Sequence, residues 1–157
     1  MHIKFVFFEK YLDFIIEFSL NGENIFVTGG GGTGKSALLD HLIARLRSKM
    51  KGVFVTATTG MSACAIGGVT IHQFAGLSQP IDENDCSYEK MFQVAADIKS
   101  KKSTVVQRWK DCKVLLIDEI SMLGRKVFET LDVVAREVRG SDSPFGGIQV
   151  IFVGDFF

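Results

Sequence analysis

Proline, tryptophan and cysteine are scarce in this sequence, and neither sign of charge predominates. The 157 residues include two prolines, one tryptophan and three cysteines, with 18 basic and 18 acidic side chains. Fourteen phenylalanines and 46% hydrophobic residues are far from the composition of a disordered chain, and they supply the core of one domain. A net charge of zero does not by itself predict a nucleic-acid-binding protein.

The cysteines Cys64, Cys86 and Cys112 are few, widely spaced and odd in number. This pattern favours neither a disulfide framework nor a zinc site. We therefore expect free thiols in a reducing compartment.

Residues 4–20 are apolar but, beyond Lys4, carry four further charged side chains, which excludes a membrane-spanning helix and a secretory signal. These are Glu9, Lys10, Asp13 and Glu17. We expect a packed amphipathic helix here, and a soluble intracellular protein with no membrane partner.

The rest of the chain alternates apolar strands with helices. Strands are predicted at residues 25–27, 53–55, 114–117 and 150–153, and helices at 35–50, 90–101 and 121–139, with surface loops at 78–90 and 141–147. The strands lack polar interruptions, which is typical of strands covered on both faces by helices. The predicted fold is a single α/β domain, residues 1–157, with a mainly parallel sheet in three αβα layers.

A glycine-rich segment after the first of these strands matches G-x-x-x-x-G-K-[ST], the phosphate-binding P-loop. It comprises Gly29, Gly30, Gly31, Gly32, Thr33, Gly34, Lys35 and Ser36. Glycines let successive backbone N–H groups point at phosphate oxygens, and the following helix adds its dipole. We expect Lys35 to contact the β- and γ-phosphates of ATP and Ser36 to offer its hydroxyl to Mg²⁺. The alternative is a glycine-rich turn that matches by chance.

Two carboxylates, Asp118 and Glu119, follow a buried apolar strand. Ligands of open α/β sheets lie at the carboxyl ends of strands, so Asp118 is expected beside the P-loop as a magnesium ligand. Glu119 is then predicted to activate the attacking water, and Lys35 and Glu119 are the predicted catalytic residues. An acidic pair can also serve only to cap a helix.

Several segments resemble the PIF-type (petite integration frequency) superfamily-one DNA helicases. They are residues 26–29, 56–63 (TATTGMSA), 66–76 (IGGVTIHQFAG), 118–122 (DEISM) and 154–156 (GDF). The stretch 66–76 resembles the family signature I-G-G-x-T-I-H-x-F-x-G. The resemblance implies the first RecA-like domain of an Mg-ATP-driven helicase that moves 5′ to 3′ on single-stranded DNA and acts at duplex junctions. It also implies roles in DNA repair, recombination and telomere maintenance, in the nucleus or mitochondrion of a eukaryote.

Parts of the family pattern are missing. No glutamine precedes Gln73, whereas the family usually carries an adenine-reading glutamine near its N-terminus. The resemblance further implies a motif III glutamine after Phe157 and a second RecA-like domain with an arginine finger. We therefore expect a truncated domain with an exposed hydrophobic edge, which does not unwind DNA by itself.

The loops after the second predicted strand are expected to face the DNA. The candidate contacts are hydroxyls and backbone N–H groups for phosphates and flat rings for bases. They are Thr58, Thr59, Gly60, Ser62, His72 and Phe74. Alternatively, Phe74 belongs to the core, and His72 caps a loop. Trp109 is expected to pack rather than to bind DNA.

A basic cluster is either a solvated helix face or a further DNA contact. It comprises Lys99, Lys101 and Lys102, with Arg108 and Lys110 nearby. Two other functions also remain open, a P-loop ATPase that moves no nucleic acid and a catalytically incomplete nucleotide-binding fragment. A titration with single-stranded DNA separates the helicase from the first of these.

Overall fold

The structure, a computed structural model, describes residues 1–7, 12–29, 35–84, 87–101 and 103–155. In these ranges the strands are β1 Ile3–Phe7, β2 Asn24–Thr28, β3 Val53–Ala57, β4 Val69–Thr70, β5 Val114–Asp118 and β6 Gln149–Gly154. The helices are α1 Leu12–Leu20, α2 Lys35–Lys49, α3 Gly60–Ala65, α4 Ile71–Ala75, α5 Tyr88–Ser100, α6 Thr104–Asp111 and α7 Arg125–Arg139. Short 3₁₀ turns lie at Ile120–Met122 and Pro144–Gly147. None of the helices in these ranges combines the length and hydropathy of a membrane span.

The strands form one sheet in the order β1-β2-β6-β5-β3-β4, and every pairing is parallel. Apolar side chains fill a core on each face of it. On one face α1 and α2 pack through residues such as Ile15 and Leu42, and on the other α5 and α7 pack through Met91 and Leu131. The predicted three-layer α/β fold is confirmed.

The structure of the N-terminal segment differs from the predicted helix at residues 4–20 and corrects that prediction. Residues 3–7 form strand β1, which pairs with β2 from Ile3 opposite Asn24 to Phe7 opposite Thr28. Consecutive β-branched and aromatic residues favour a strand that completes its backbone hydrogen bonds on a sheet edge. Among the described residues of this segment, the helix is α1 at Leu12–Leu20.

Several short elements were also not predicted from the sequence. Helices α3, α4 and α6 and the two-residue strand β4 were not predicted, because each is too short for a periodic apolar pattern. Helix α7 begins at Arg125 rather than at residue 121, after the turn Ile120–Met122. Strand β6 lies between β2 and β5, and the edge strands of the described sheet are β1 and β4, so the expectation of an exposed hydrophobic edge stays a prediction.

The packing role predicted for Trp109 and the free thiols predicted for Cys64 and Cys112 agree with the structure. The Trp109 ring is fully buried, contacts Phe74 edge-on at 4.8 Å between ring centroids, and donates to the Ala75 carbonyl at 3.3 Å. Cys112 is a buried free thiol, and burial raises its pKa to about 12, so it stays protonated. Cys64 is free and exposed, and Cys86 lies outside the described residues.

The turn Pro144–Gly147 leads into β6 and contains residues with left-handed backbone conformation. Phe145 has φ of 50° and Gly146 of 60°. Helix α7 holds both residues, because Asp132 accepts from the Phe145 N–H at 2.6 Å and Arg139 donates to the Gly146 carbonyl at 2.7 Å. This turn fixes where β6 starts, and therefore which residues its carboxyl end presents.

Replacing Gly146 by alanine is expected to destabilise the fold by roughly 3 kcal/mol, because left-handed backbone and overpacking each cost about 1–2 kcal/mol. The new Cβ would lie 2.6 Å from the Ala135 carbonyl oxygen. Gly140→Ala is the matched control, since Gly140 has φ of 62° in open space and should lose only about 1–2 kcal/mol. Thermal unfolding of the two variants compares them, and equal losses would contradict this packing.

Candidate active site

The strand order brings three strand ends side by side at one edge of the sheet. Gly29 follows β2, Asp155 follows the neighbouring β6, and Asp118 ends β5 on the far side of β6. Helix α2, after β2, covers one face of the sheet, whereas α7, after β5, covers the other. Helices that leave to opposite faces open a crevice between the strand ends, which is where α/β sheets bind ligands.

Lys35, the first residue of α2, reaches into this crevice. Its Nζ donates to the Gly29 carbonyl and lies 3.8 Å from an Asp155 carboxylate oxygen, and its charge also acts on Asp118. Its side chain is only 19% exposed. An ammonium group among these strand ends can serve as a point charge for phosphates. No role was predicted for Asp155 from the sequence.

The other P-loop residues are only partly described. Ser36 follows Lys35 and is exposed, and Gly29 is half-buried. Gly30, Gly31, Gly32, Thr33 and Gly34 lie outside the described residues. Their role in binding phosphates therefore stays a prediction.

Asp118 is a half-buried carboxylate at the end of β5. Burial raises the pKa of its carboxyl group, and the neighbouring Glu119 charge raises it further. The Glu119 N–H, which donates to Asp118 at 2.9 Å, and the Lys35 charge both lower that pKa. A cation beside Asp118 would favour its ionised form. Asp118 and Ser36 offer the hard oxygen ligands that Mg²⁺ takes together with waters and phosphates.

Glu119 stands in strained backbone, with φ of 55° and ψ of 39°. Left-handed conformation costs a non-glycine residue about 1–3 kcal/mol and is concentrated at functional sites. Its carbonyl is held by the Thr58 hydroxyl at 3.1 Å and the Met122 N–H at 3.0 Å. These bonds fix the backbone from which the Glu119 carboxylate projects.

Thr58 therefore belongs to this site, which corrects its prediction as a DNA contact. Its N–H donates to the Asp118 carbonyl at 3.2 Å, and its hydroxyl donates to the Glu119 carbonyl. That hydroxyl is not available as a donor to a phosphate. Thr58 reaches this site because Ala57 in β3 pairs with Asp118 in β5. The sequence alone does not show that these two strands are neighbours.

Comparison with known proteins identifies the family of the chain. A model of the PIF1-like helicases matches residues 8–157. The chain belongs to the PIF1-like helicase family. It is 45% identical over 150 residues to the ATP-dependent DNA helicase PIF1 of Saccharomyces cerevisiae (strain YJM789), and 47% identical over 137 residues to that of Xenopus laevis. These alignments cover 94% and 87% of this chain.

The same family is found among solved structures. A crystal structure of Pif1 helicase from Candida albicans matches with a TM-score of 0.82 and 40% identity over 96% of this chain. Bacteroides Pif1 bound to ssDNA matches with a TM-score of 0.73 and 34% identity over 96% of the chain. The chain spans only 16% and 20% of the two curated relatives and 33% and 32% of the two solved chains.

Part of the PIF1-like signature at residues 66–76 serves packing. Ile66, Ile71 and Phe74 are buried, and the Thr70 hydroxyl caps α4 by accepting from the Gln73 N–H at 3.2 Å. The prediction that Phe74 stacks on bases is not supported, because its fully buried ring has no free face. Of the predicted contacts in this stretch, His72 remains, half-exposed on α4.

Other predicted DNA contacts lie at the start of α3, at the same edge of the sheet as Lys35 and Asp118. Thr59 caps this helix, accepting from the Ser62 N–H at 3.1 Å and donating to the Ser62 hydroxyl oxygen at 2.8 Å. Gly60 is exposed, Ser62 is half-exposed, and Met61 between them is 86% exposed. The structure thus brings Gly60, Ser62 and His72 to one end of the domain, and their contact with DNA stays a prediction.

Two side chains of the basic cluster, Lys99 and Arg108, have partners within the domain. Lys99 lies 3.6 Å from Glu137, and the Arg108 guanidinium lies over the Phe74 ring at 5.7 Å from its centroid. Lys101 is exposed, and Lys102 lies outside the described residues. These contacts favour the solvated helix face over a DNA contact.

Proposed function

We propose that the polypeptide carrying this domain is an ATP-dependent DNA helicase, and that this domain binds and helps to hydrolyse Mg-ATP. The observation that carries the proposal is the meeting of Lys35, Asp155 and the Asp118–Glu119 pair at adjacent strand ends. Membership of the PIF1-like helicases supports it. So do the Bacteroides Pif1 relatives solved with ssDNA and with ADP-AlF4.

The roles divide by chemistry. Lys35 and the P-loop N–H groups bind the phosphates, and Ser36 and Asp118 hold Mg²⁺, which neutralises charge on the phosphates. Glu119 orients the attacking water and accepts its proton. A second RecA-like domain supplies an arginine finger, which contributes about 10³–10⁵ in rate.

Single-stranded DNA is proposed to cross the surface formed by α3 and the start of α4. The Gly60 and Met61 backbone and the Ser62 hydroxyl face phosphates, and the His72 ring stacks on a base. The protein would then work inside the cell, in repair, recombination or telomere maintenance, in the nucleus or mitochondrion of a eukaryote.

Changing Thr59 and His72 together to alanine is expected to weaken single-stranded DNA binding by roughly 10- to 100-fold. A lost helix cap costs about 1 kcal/mol and a lost stacking contact about 1–3 kcal/mol. Fluorescence anisotropy with a labelled oligonucleotide measures the affinity. The matched control is Ser87→Ala with His41→Ala, which removes the cap of α5 and an exposed histidine of α2. Equal affinities for both double variants would place the DNA elsewhere.

A forked duplex incubated with the complete polypeptide and Mg-ATP tests the helicase proposal. Strand separation that requires ATP, and that the Lys35→Ala variant lacks, is the expected result. No separation by a protein that hydrolyses ATP would favour the second candidate, a P-loop ATPase that moves no nucleic acid. The observation favouring that candidate is the burial of the signature residues Ile66, Ile71 and Phe74 in the core.

A further inference from the structure

The first turn of α7 carries no capping side chain of its own. Its N-cap residue is Gly124, and the next two residues, Arg125 and Lys126, are positively charged. A helix N-terminus favours negative charge and needs acceptors for its first N–H groups. Since α7 follows Glu119 by way of the turn Ile120–Met122, the position of this helix start bears directly on the candidate catalytic carboxylate.

Glu83, from a distant loop, provides both the acceptor and the charge. Its Oε2 accepts from the Lys126 N–H at 3.0 Å. Its carboxylate also lies against Gly124, where the Cδ atom would be only 2.6 Å from an added Cβ. Glycine at position 124 therefore leaves the space that this carboxylate occupies.

The loop that carries Glu83 starts at the proposed DNA face. Residue 77 follows α4, and the His72 carbonyl accepts from the N–H groups of Gly76 and Leu77 at 3.0 Å each. Leu77 and Ile81 are partly buried against the core that α7 also fills. Between His72 and the start of α7, the chain is therefore held in place by contacts of Leu77, Ile81 and Glu83.

We propose that Glu83 is a positioning residue that couples DNA on α4 to the Glu119 carboxylate. This inference rests on the proposed function, because it requires both ATP hydrolysis and bound DNA. A displacement of α4 by DNA passes through residues 77–83 to the start of α7, and from there through the turn Ile120–Met122 to Glu119. Contiguous packed contacts of this kind can carry coupling between two sites.

The test compares ATP hydrolysis by the complete polypeptide with and without saturating single-stranded DNA. Glu83→Ala should lower the DNA-stimulated kcat roughly fivefold, the scale of one helix cap, while basal kcat and KM for ATP stay within about twofold. Glu83→Gln should show a smaller loss, because its amide oxygen can still accept from Lys126. Glu137→Gln, a surface acid at the other end of α7, is the control and should behave as wild type.

A second variant tests the same contact without removing the acid. Gly124 has φ of −62°, which alanine adopts readily, so Gly124→Ala mainly displaces the Glu83 carboxylate. It should reproduce the loss, and the double variant should lose no more than either single one. Unchanged stimulation in Glu83→Ala, or equal losses of basal and stimulated rates, would overturn the coupling role. If DNA does not change the rate of ATP hydrolysis by the wild-type protein, the proposed function is overturned instead, and the inference with it.

Discussion

Replacing Glu119 by glutamine is expected to lower ATP turnover by roughly 100-fold or more, the scale on which loss of a general base acts. The amide keeps the shape of the side chain but cannot accept the proton of the attacking water. The strained backbone at φ of 55° should persist, because its bonds to Thr58 and Met122 involve the carbonyl of residue 119. Nucleotide affinity should therefore stay close to that of the wild type.

Steady-state hydrolysis and nucleotide binding, measured on the same preparation of the complete polypeptide, separate these two effects. Glu137→Gln serves as the control, since it removes a half-exposed acid of α7 that pairs with Lys99. Near-normal turnover in Glu119→Gln would assign the base to another residue. Loss of nucleotide binding would show that Glu119 is needed to hold the ligand.

Replacing Lys35 by alanine is expected to weaken nucleotide binding by roughly 100-fold or more. Charge-assisted contacts to phosphates contribute about 1.5–3 kcal/mol each. The change also leaves Asp118 and Asp155 without the cation that lies near both, so their negative charge would repel the nucleotide. Titration with a fluorescent ATP analogue in the presence of magnesium measures the loss.

Lys49→Ala is the matched control for this change. Lys49 lies at the exposed end of the same helix, α2, away from the strand ends. It should bind nucleotide as the wild type does. Unchanged affinity in Lys35→Ala would refute the P-loop assignment.

The chemistry of the site was readable from the sequence because each motif is contiguous and follows a strand without polar interruptions. Lys35 and Asp118 could be placed together, since parallel strands present their carboxyl ends at one edge. The resemblance to PIF-type helicases rested on the same contiguous segments and is confirmed by the family match. The three-layer fold followed from strands such as β5, whose first four residues are all buried.

What the sequence could not give is pairing between distant segments. The bond from Thr58 to Glu119 depends on β3 lying beside β5, and Glu83 reaches Lys126 across 43 residues. From the sequence, Phe74 was equally plausible as a base-stacking ring and as a core residue. In the structure its ring packs against Trp109. Strand β1 pairs with β2 at an edge of the sheet, and this pairing between separate segments is not visible in the sequence.

The rate of Mg-ATP hydrolysis by the complete polypeptide, with and without single-stranded DNA, tests the central claim most directly. If this domain is the nucleotide-binding part of a DNA motor, DNA should raise the rate well above its basal value, and Glu119→Gln should abolish both rates. A wild-type rate that is the same with and without DNA would contradict the account and leave a P-loop ATPase that does not act on nucleic acid.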